Sequence, residues 1–268
     1  MALTPERPRL KSCMEIAAKI LIGLVVGTLI GMTGLGGGVL LLPVLIFGLK
    51  VPPILAVGSD AVFNFITKIG SGWMHLRKGT VRRKVVMALA TGSIPGSIVG
   101  VGFLAHLRNV YGSGVNSFIT SAVGLLLVCI PTLLLFQSRI EEHVAGRPPT
   151  LKSFAGMSGI GLLAGFLVGM TSVGSGSIIM MLLLLFYSYT PKVMVGTDIV
   201  HAVALTGVTG LLHWRLGNVD PKLVASLLIG SIPGGLVGSH LSTRVPVLWL
   251  RRILCAVLLA TGARMLWA

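Results

Sequence analysis

The sequence predicts an all-α fold, a polytopic transmembrane helical bundle of about eight hydrophobic segments in two sequence-related halves, and three observations carry that prediction. The first is composition: of 268 residues 54% are hydrophobic and only 11% charged, with a mean hydropathy of +0.94. No soluble domain hides that much apolar surface, so lipid must be the solvent. The second is segmentation into apolar runs long enough to cross roughly 30 Å of hydrocarbon, about 20 residues each. The third is an internal repeat.

The formal charge of +15 would ordinarily point to nucleic acid. Here the basic residues fall between apolar runs instead of clustering with aromatics on one face, a pattern that the positive-inside rule produces. Nucleic-acid binding is therefore not expected. Cys13, Cys129 and Cys255 are far apart, with no second cysteine or paired histidine at ligand spacing, so neither a disulfide framework nor a metal site is supported. Arg7, Arg9 and Lys11 ahead of the apolar run from Ile16 look like a signal peptide. The same kind of segment recurs in mid-chain at Phe154, so both are read as permanent spans.

The apolar segments run near Ile16 to Phe47, Ile54 to Met74, Val85 to Ala105 and Val115 to Phe136, then near Phe154 to Phe186, Val193 to Leu212, Leu223 to Leu241 and Val247 to Trp267. This divides a single membrane domain, residues 1–268, into repeat one (about 16–136), a linker (about 137–152) and repeat two (about 153–267). The first segment of each set is too long for one straight helix and is interrupted by glycines, which predicts a break. Basic residues number three in Met1 to Glu15, one around Lys50, five in His75 to Lys84, one around Arg108 and three in Gln137 to Lys152. That alternation fits single crossings of a cell inner (plasma) membrane with a cytoplasmic N-terminus and a cytoplasmic linker, although it weakens in the second half.

The repeat is explicit: Gly31-Met-Thr-Gly-Leu-Gly36-Gly-Gly38 matches Gly169-Met-Thr-Ser-Val-Gly174-Ser-Gly176 at an offset of 138 residues. The same offset sets Pro53 on Pro191, Gly58-Ser59-Asp60 on Gly196-Thr197-Asp198, His75-Leu-Arg77 on His213-Trp-Arg215, and Gly92-Ser-Ile-Pro95-Gly96 on Gly230-Ser-Ile-Pro233-Gly234. Duplicated halves with interrupted helices are the usual build of secondary transporters, whose site lies near the bilayer midplane. Four crossings per half give parallel repeats; a first segment that turns back on itself gives an odd count and inverted ones. The charge count favours parallel.

Together the glycine-rich breaks, the Gly-Ser/Thr-Asp elements, the His-x-Arg helix ends and the Gly-Ser-Ile-Pro-Gly elements resemble the sulfite exporter TauE/SafE family, from about Ile16 onward. The resemblance implies a carrier of sulfite, sulfonates or related small anions, usually outward. Asp60 and Asp198 depart from the Ser or Asn expected at that motif position in many members, so any coupling role is argued from this chain's own residues.

A glycine cluster inside a span lets a helix break and aims backbone N–H groups at whatever lies beside it. Thr33, Gly34, Gly36, Gly37 and Gly38, and Thr171, Ser172, Gly174, Ser175 and Gly176, are therefore candidate anion-binding residues; the alternative is close helix packing by small residues. For the Pro95 and Pro233 elements, kinked close packing is the expected role. If Pro53 and Pro191 sit in the first helical turn, Asp60 and Asp198 lie about 10 Å further into the membrane. An ionisable group there costs about 2.5 to 3.5 kcal/mol on insertion scales, so it faces a cavity or a partner. The two aspartates are either a proton-coupling or gating pair or structural acceptors for the opposing helix break. His201, three residues after Asp198, shares its face and suits a proton relay. Lys68 either balances an oxyanion or snorkels towards the basic loop. His75 and His213, beside Arg77 and Arg215, are read as cations complementing helix C-termini.

The expected function is a secondary carrier of a small anion, with no cofactor, no ATP-binding element and no enzyme signature; neither Gly-x-x-x-x-Gly-Lys-Ser/Thr, Gly-x-Ser-x-Gly nor His-Glu-x-x-His occurs. A passive anion channel is the runner-up, and an aspartyl dyad of Asp60 and Asp198 is the remote enzymatic reading. The partners expected are the anion and the bilayer, and the apolar faces admit a homodimer.

Overall fold

The structure is a computed structural model that describes residues 6–33, 37–144, 154–176, 179–180, 191–241 and 247–267. Regular structure among these is entirely helical: α1 (Glu6–Thr33), α2 (Gly37–Pro43, continued by a π-helical turn Val44–Gly48), α3 (Pro53–Arg77), α4 (Arg83–Tyr111), α5 (Val115–Val144), α6 (Phe154–Thr171), α7 (Pro191–Arg215), α8 (Pro221–Leu241) and α9 (Val247–Trp267). Five stretches, Met14–Met32, Arg83–Leu133, Phe154–Thr171, Val193–Arg215 and Pro221–Leu241, are apolar and long enough to cross a membrane. Large apolar side chains such as Val99, Leu163, Ile232 and Leu236 are exposed on the outer faces, as lipid contact requires.

Local chemistry sets the boundaries. α3 begins with Pro53 in its first turn after Pro52, where a missing N–H costs nothing. α8 begins with Pro221 behind Asp220, whose Oδ1 accepts the Lys222 and Leu223 amides at 3.0 and 3.1 Å, an N-cap. Gly79 and Gly217, repeat equivalents, take φ of +66° and +71° just past α3 and α7, the left-handed stop that favours glycine. Inside α2 the wide turn follows Pro43 directly, where proline removes a helix hydrogen bond.

The helices pair between halves. α1 packs along α8 and α4 along α6, α3 crosses α7, and α5 packs on α9. Glycines permit the first two contacts: a Cβ on Gly92, Gly96 or Gly100 of α4 would fall on the backbone of Ser158, Leu162 or Phe166 of α6. Likewise a Cβ on Gly230, Gly234 or Gly238 of α8 would fall on Ile20, Leu24 or Thr28 of α1. Each pair is the other shifted by 138, so the Gly-Ser-Ile-Pro-Gly elements act as close-packing faces.

Direction follows from the same neighbours. Residue numbers rise together in α1/α8 and α4/α6, so those helices run parallel. Across α3 and α7 they run oppositely: Gly58 abuts His213 and Asn218, Val62 abuts Gly210, Phe65 abuts Gly207, and Gly196 abuts His75 and Thr80. Helices that are repeat equivalents and antiparallel are related by an axis across the helices, so the repeats are inverted and the parallel arrangement favoured by charge is corrected. The reason is the break. Gly37 lies against Asn64 and Gly38 against Asp60, yet α2 ends just ahead of Pro53, so α2 runs back down α3 while α1 runs parallel to it. The first segment is a hairpin of α1 and α2, with Gly37 at the start of α2 beside the middle of α3. This reversal also puts the start of α1, Glu6–Glu15, at the opposite end of the bundle from the α3–α4 loop. The charge alternation that placed the N-terminus in the cytoplasm grouped those two stretches on one side, and so loses its basis.

Candidate functional site

The Gly-Ser/Thr-Asp elements are built as a unit. Gly58 lets the α7–α8 loop approach until a Cβ would strike the Asn218 carbonyl; Ser59 Oγ accepts the Asp220 amide at 3.0 Å; Asp60 turns inward. In the second half Gly196 meets the Thr80 carbonyl and Thr197 Oγ1 accepts the Arg82 amide at 3.0 Å, leaving Asp198 inward. Each half thus clamps the other's loop and delivers one carboxylate to the interior. α3 and α7 cross where residue 67 faces residue 205, as the paired neighbours fix, so Lys68 stands next to the pseudo-two-fold axis.

Asp60 is fully buried and well partnered on one oxygen. Its Oδ2 accepts the Ser172 hydroxyl at 2.7 Å and Asn64 Nδ2 at 2.9 Å. Asn64 Nδ2 also donates to the Asp60 carbonyl, and Asn64 Oδ1 accepts the Gly37 amide at 3.0 Å. The carboxylate therefore ties the start of α2, through Asn64, to the break after α6. Ser172 is held at φ +56° and Gly174 at φ +98°, so the break after α6 is a left-handed turn.

The Lys68 side chain reaches the break after α6, where Nζ donates to Ser175 Oγ at 3.0 Å and to the Ser175 carbonyl at 3.4 Å. A Cβ on Gly176 would sit 3.6 Å from Asp198 Oδ2 and 3.8 Å from Lys68 Nζ, so both side chains converge on that glycine. Asp198 Oδ1, Asp60 Oδ1 and His201 Nδ1 are buried and have no hydrogen-bond partner among the described residues. Such atoms mark sites of strain, catalysis or ligand exchange, since unpartnered buried groups are costly. His201 Nε2 meets Ser93 Oγ at 2.7 Å, which holds the imidazole on α4.

Other expected residues fare differently. The Thr171 hydroxyl donates to the Leu167 carbonyl at 2.7 Å, so its proton is used within its own helix and is not offered to a ligand. Gly34 and Gly36, and the Thr33 side chain, lie outside the described residues. Asp60 and Asp198 sit on opposite sides of the α3/α7 crossing, so the carboxylates do not share a site as a protease dyad does. His213 is fully buried: Nε2 donates to the Gly169 carbonyl at 3.0 Å, which fixes Nδ1 as acceptor for Asn218 Nδ2 at 3.4 Å. It bridges α7 to the end of α6, a role beyond the dipole partner expected from sequence. Asn64 and Ser93 were not singled out from sequence, though a polar residue four after Asp60 in an apolar span was a usable signal.

The chain matches the family described as sulfite exporter TauE/SafE over residues 19–265. "Probable membrane transporter protein YjnA" of Bacillus subtilis (strain 168) is 38% identical over 253 residues, 92% of this chain and 98% of the relative. "Probable membrane transporter protein YunE" of the same bacterium is 25% identical, covering 95% of this chain and 98% of its own length. "Probable membrane transporter protein MJ0441" of Methanocaldococcus jannaschii is 26% identical, over 92% and 94% respectively. No solved structure matches. With a helical bundle of interlocked halves around a partly buried lysine and two buried aspartates, this chain belongs to the sulfite exporter TauE/SafE family and is a multi-pass membrane transporter.

Proposed function

We propose that the chain is a secondary carrier that exports sulfite, a sulfonate or a related small oxyanion across the plasma membrane, with the anion held between Lys68 and the Ser172–Gly176 turn. The observation that carries this reading is Lys68, a partly buried lysine beside the pseudo-axis whose ammonium donates to neutral Ser175 oxygens. An ammonium in that position is a point charge for an oxyanion, which would displace Ser175 as its partner. Asp198 and His201, each with an unpartnered buried atom, are the proton-carrying pair on the same helix. Asp60 is the gate strut, since its contacts join the two breaks. Inverted repeats around one central site give alternating access by rocking one half against the other.

The test is flux of labelled sulfite, sulfate and a short sulfonate in proteoliposomes, with and without an imposed pH gradient. Saturable sulfite or sulfonate flux that responds to the gradient, lost in Lys68→Met and uncoupled from pH in Asp198→Asn, is the expected result. Flux of none of the three anions sinks the substrate class, and unsaturable flux indifferent to pH would instead describe a channel.

A further inference from the structure

At the end of the bundle where α3 begins, a cavity of about 640 Å3 opens between the α3 start, the α4–α5 turn and the α7–α8 loop. Its wall includes Arg108, Asn109, Ser113, Asn116, Gly217 and Asn218, and Arg108 is the one charged residue among the lining residues. A guanidinium in a polar recess with no carboxylate in its wall is a bidentate receptor for an oxyanion. Arg108 is also wired inward. Its Nη1 donates to Asn218 Oδ1 at 2.8 Å, Asn218 Nδ2 to His213 Nδ1 at 3.4 Å, and His213 Nε2 to the Gly169 carbonyl at 3.0 Å, three residues ahead of Ser172. By the 138-residue offset, which still holds at the mutually packed Gly124 and Gly262, Arg108 corresponds to Pro246, Ser113 to Arg251, Asn116 to Leu254 and Asn218 to Thr80, so the repeat does not reproduce this set of residues position by position.

We infer that this cavity is a docking vestibule for the small oxyanion, with Arg108 as its coordinating residue, distinct from the Lys68 site and placed at the end of the bundle where α3 begins. It rests on the oxyanion-carrier reading and deepens it. A cationic mouth raises the local anion concentration at that face, and an anion that draws Arg108 off Asn218 loosens the His213 strap on the end of α6.

Two measurements on the full-length protein test it. The first does not need transport: Ser113→Cys in a background with Cys13, Cys129 and Cys255 replaced is labelled with an impermeant thiol reagent, with sulfate or sulfite exchanged for gluconate at constant ionic strength. The oxyanions are expected to slow labelling several-fold, an effect abolished by Arg108→Gln and kept by Arg108→Lys; protection that survives Arg108→Gln, or no protection, overturns the vestibule. The second is the KM for sulfite from each face of oriented proteoliposomes. Arg108→Gln is expected to raise it about tenfold at the α4–α5 face alone with Vmax within about twofold, a factor that corresponds to about 1.4 kcal/mol for one lost charge-assisted contact. An equal rise at both faces would make Arg108 merely structural. Protection without flux would sink the carrier reading and leave the anion vestibule standing; flux without protection would do the reverse.

Discussion

Asp60 and Asp198 occupy equivalent positions yet stand in unequal surroundings, and the inequality lies in their repeat partners. Asn64 corresponds to Ala202 and Ser172 to Gly34, so the two groups that hold Asp60 Oδ2 have no counterparts for Asp198. Lys68 corresponds to Thr206, whose hydroxyl is used on the Ala202 carbonyl at 2.7 Å. Near the axis one half supplies a cation and the other a sealed hydroxyl, which suits a single asymmetric ligand. Removing an acceptor that leaves buried donors behind costs about 1 to 3 kcal/mol per group. Asp60→Ala is therefore expected to lower the Tm of the detergent-solubilised protein by several degrees, whereas Asp198→Asn keeps the wild-type Tm while altering flux. Equal Tm losses would contradict the division into strut and proton carrier. The sequence showed both acids, their burial and their symmetry. It did not show which was partnered, because Ser172 lies 112 residues from Asp60 along the chain.

At the scale of the helix, glycine spacing decides which faces meet. Gly92, Gly96 and Gly100 form one stripe on α4, and a Cβ at any of them would enter α6 backbone, while Gly102 on the same helix has open space around it. Gly92→Val is expected to abolish the folded, monodisperse protein in detergent, since the α6 backbone has nowhere to retreat. Gly102→Ala is expected to be neutral or to stabilise by about 0.5 to 1 kcal/mol through helix propensity, as scanning fluorimetry would read. Loss of folding in both would mean that helix content, and not the α4–α6 approach, depends on these glycines. Close packing was legible from the Gly-Ser-Ile-Pro-Gly repeat. The identity of the partner was not, because a small-residue stripe states that a helix comes near and carries no address.

For the whole molecule, inversion is the feature that organises the rest. Two consequences share it: the α3/α7 crossing next to Lys68, and the reciprocal clamps of Ser59 on Asp220 and Thr197 on Arg82. Lys78 and Leu216 are repeat equivalents just beyond α3 and α7, both exposed. Single cysteines placed there in a cysteine-free background are expected to label from opposite sides of the membrane with an impermeant reagent. Labelling from the same side would restore parallel repeats and dismantle the crossing geometry.

The sequence by itself determined the solvent, the helical class, the register of the repeat and the two aspartates within the spans, because composition, run length and a 138-residue offset are local or self-referential quantities. Only the tertiary structure decided that α2 turns back, that the halves are inverted and interlocked, and that Asn64 partners Asp60 and Ser93 partners His201. Those outcomes depend on which groups meet in space, for Ser93 and His201 across more than a hundred residues. Charge sums could not supply the turn: the positive-inside rule counts charges in the loops between apolar segments and does not distinguish a segment that crosses from one that turns back.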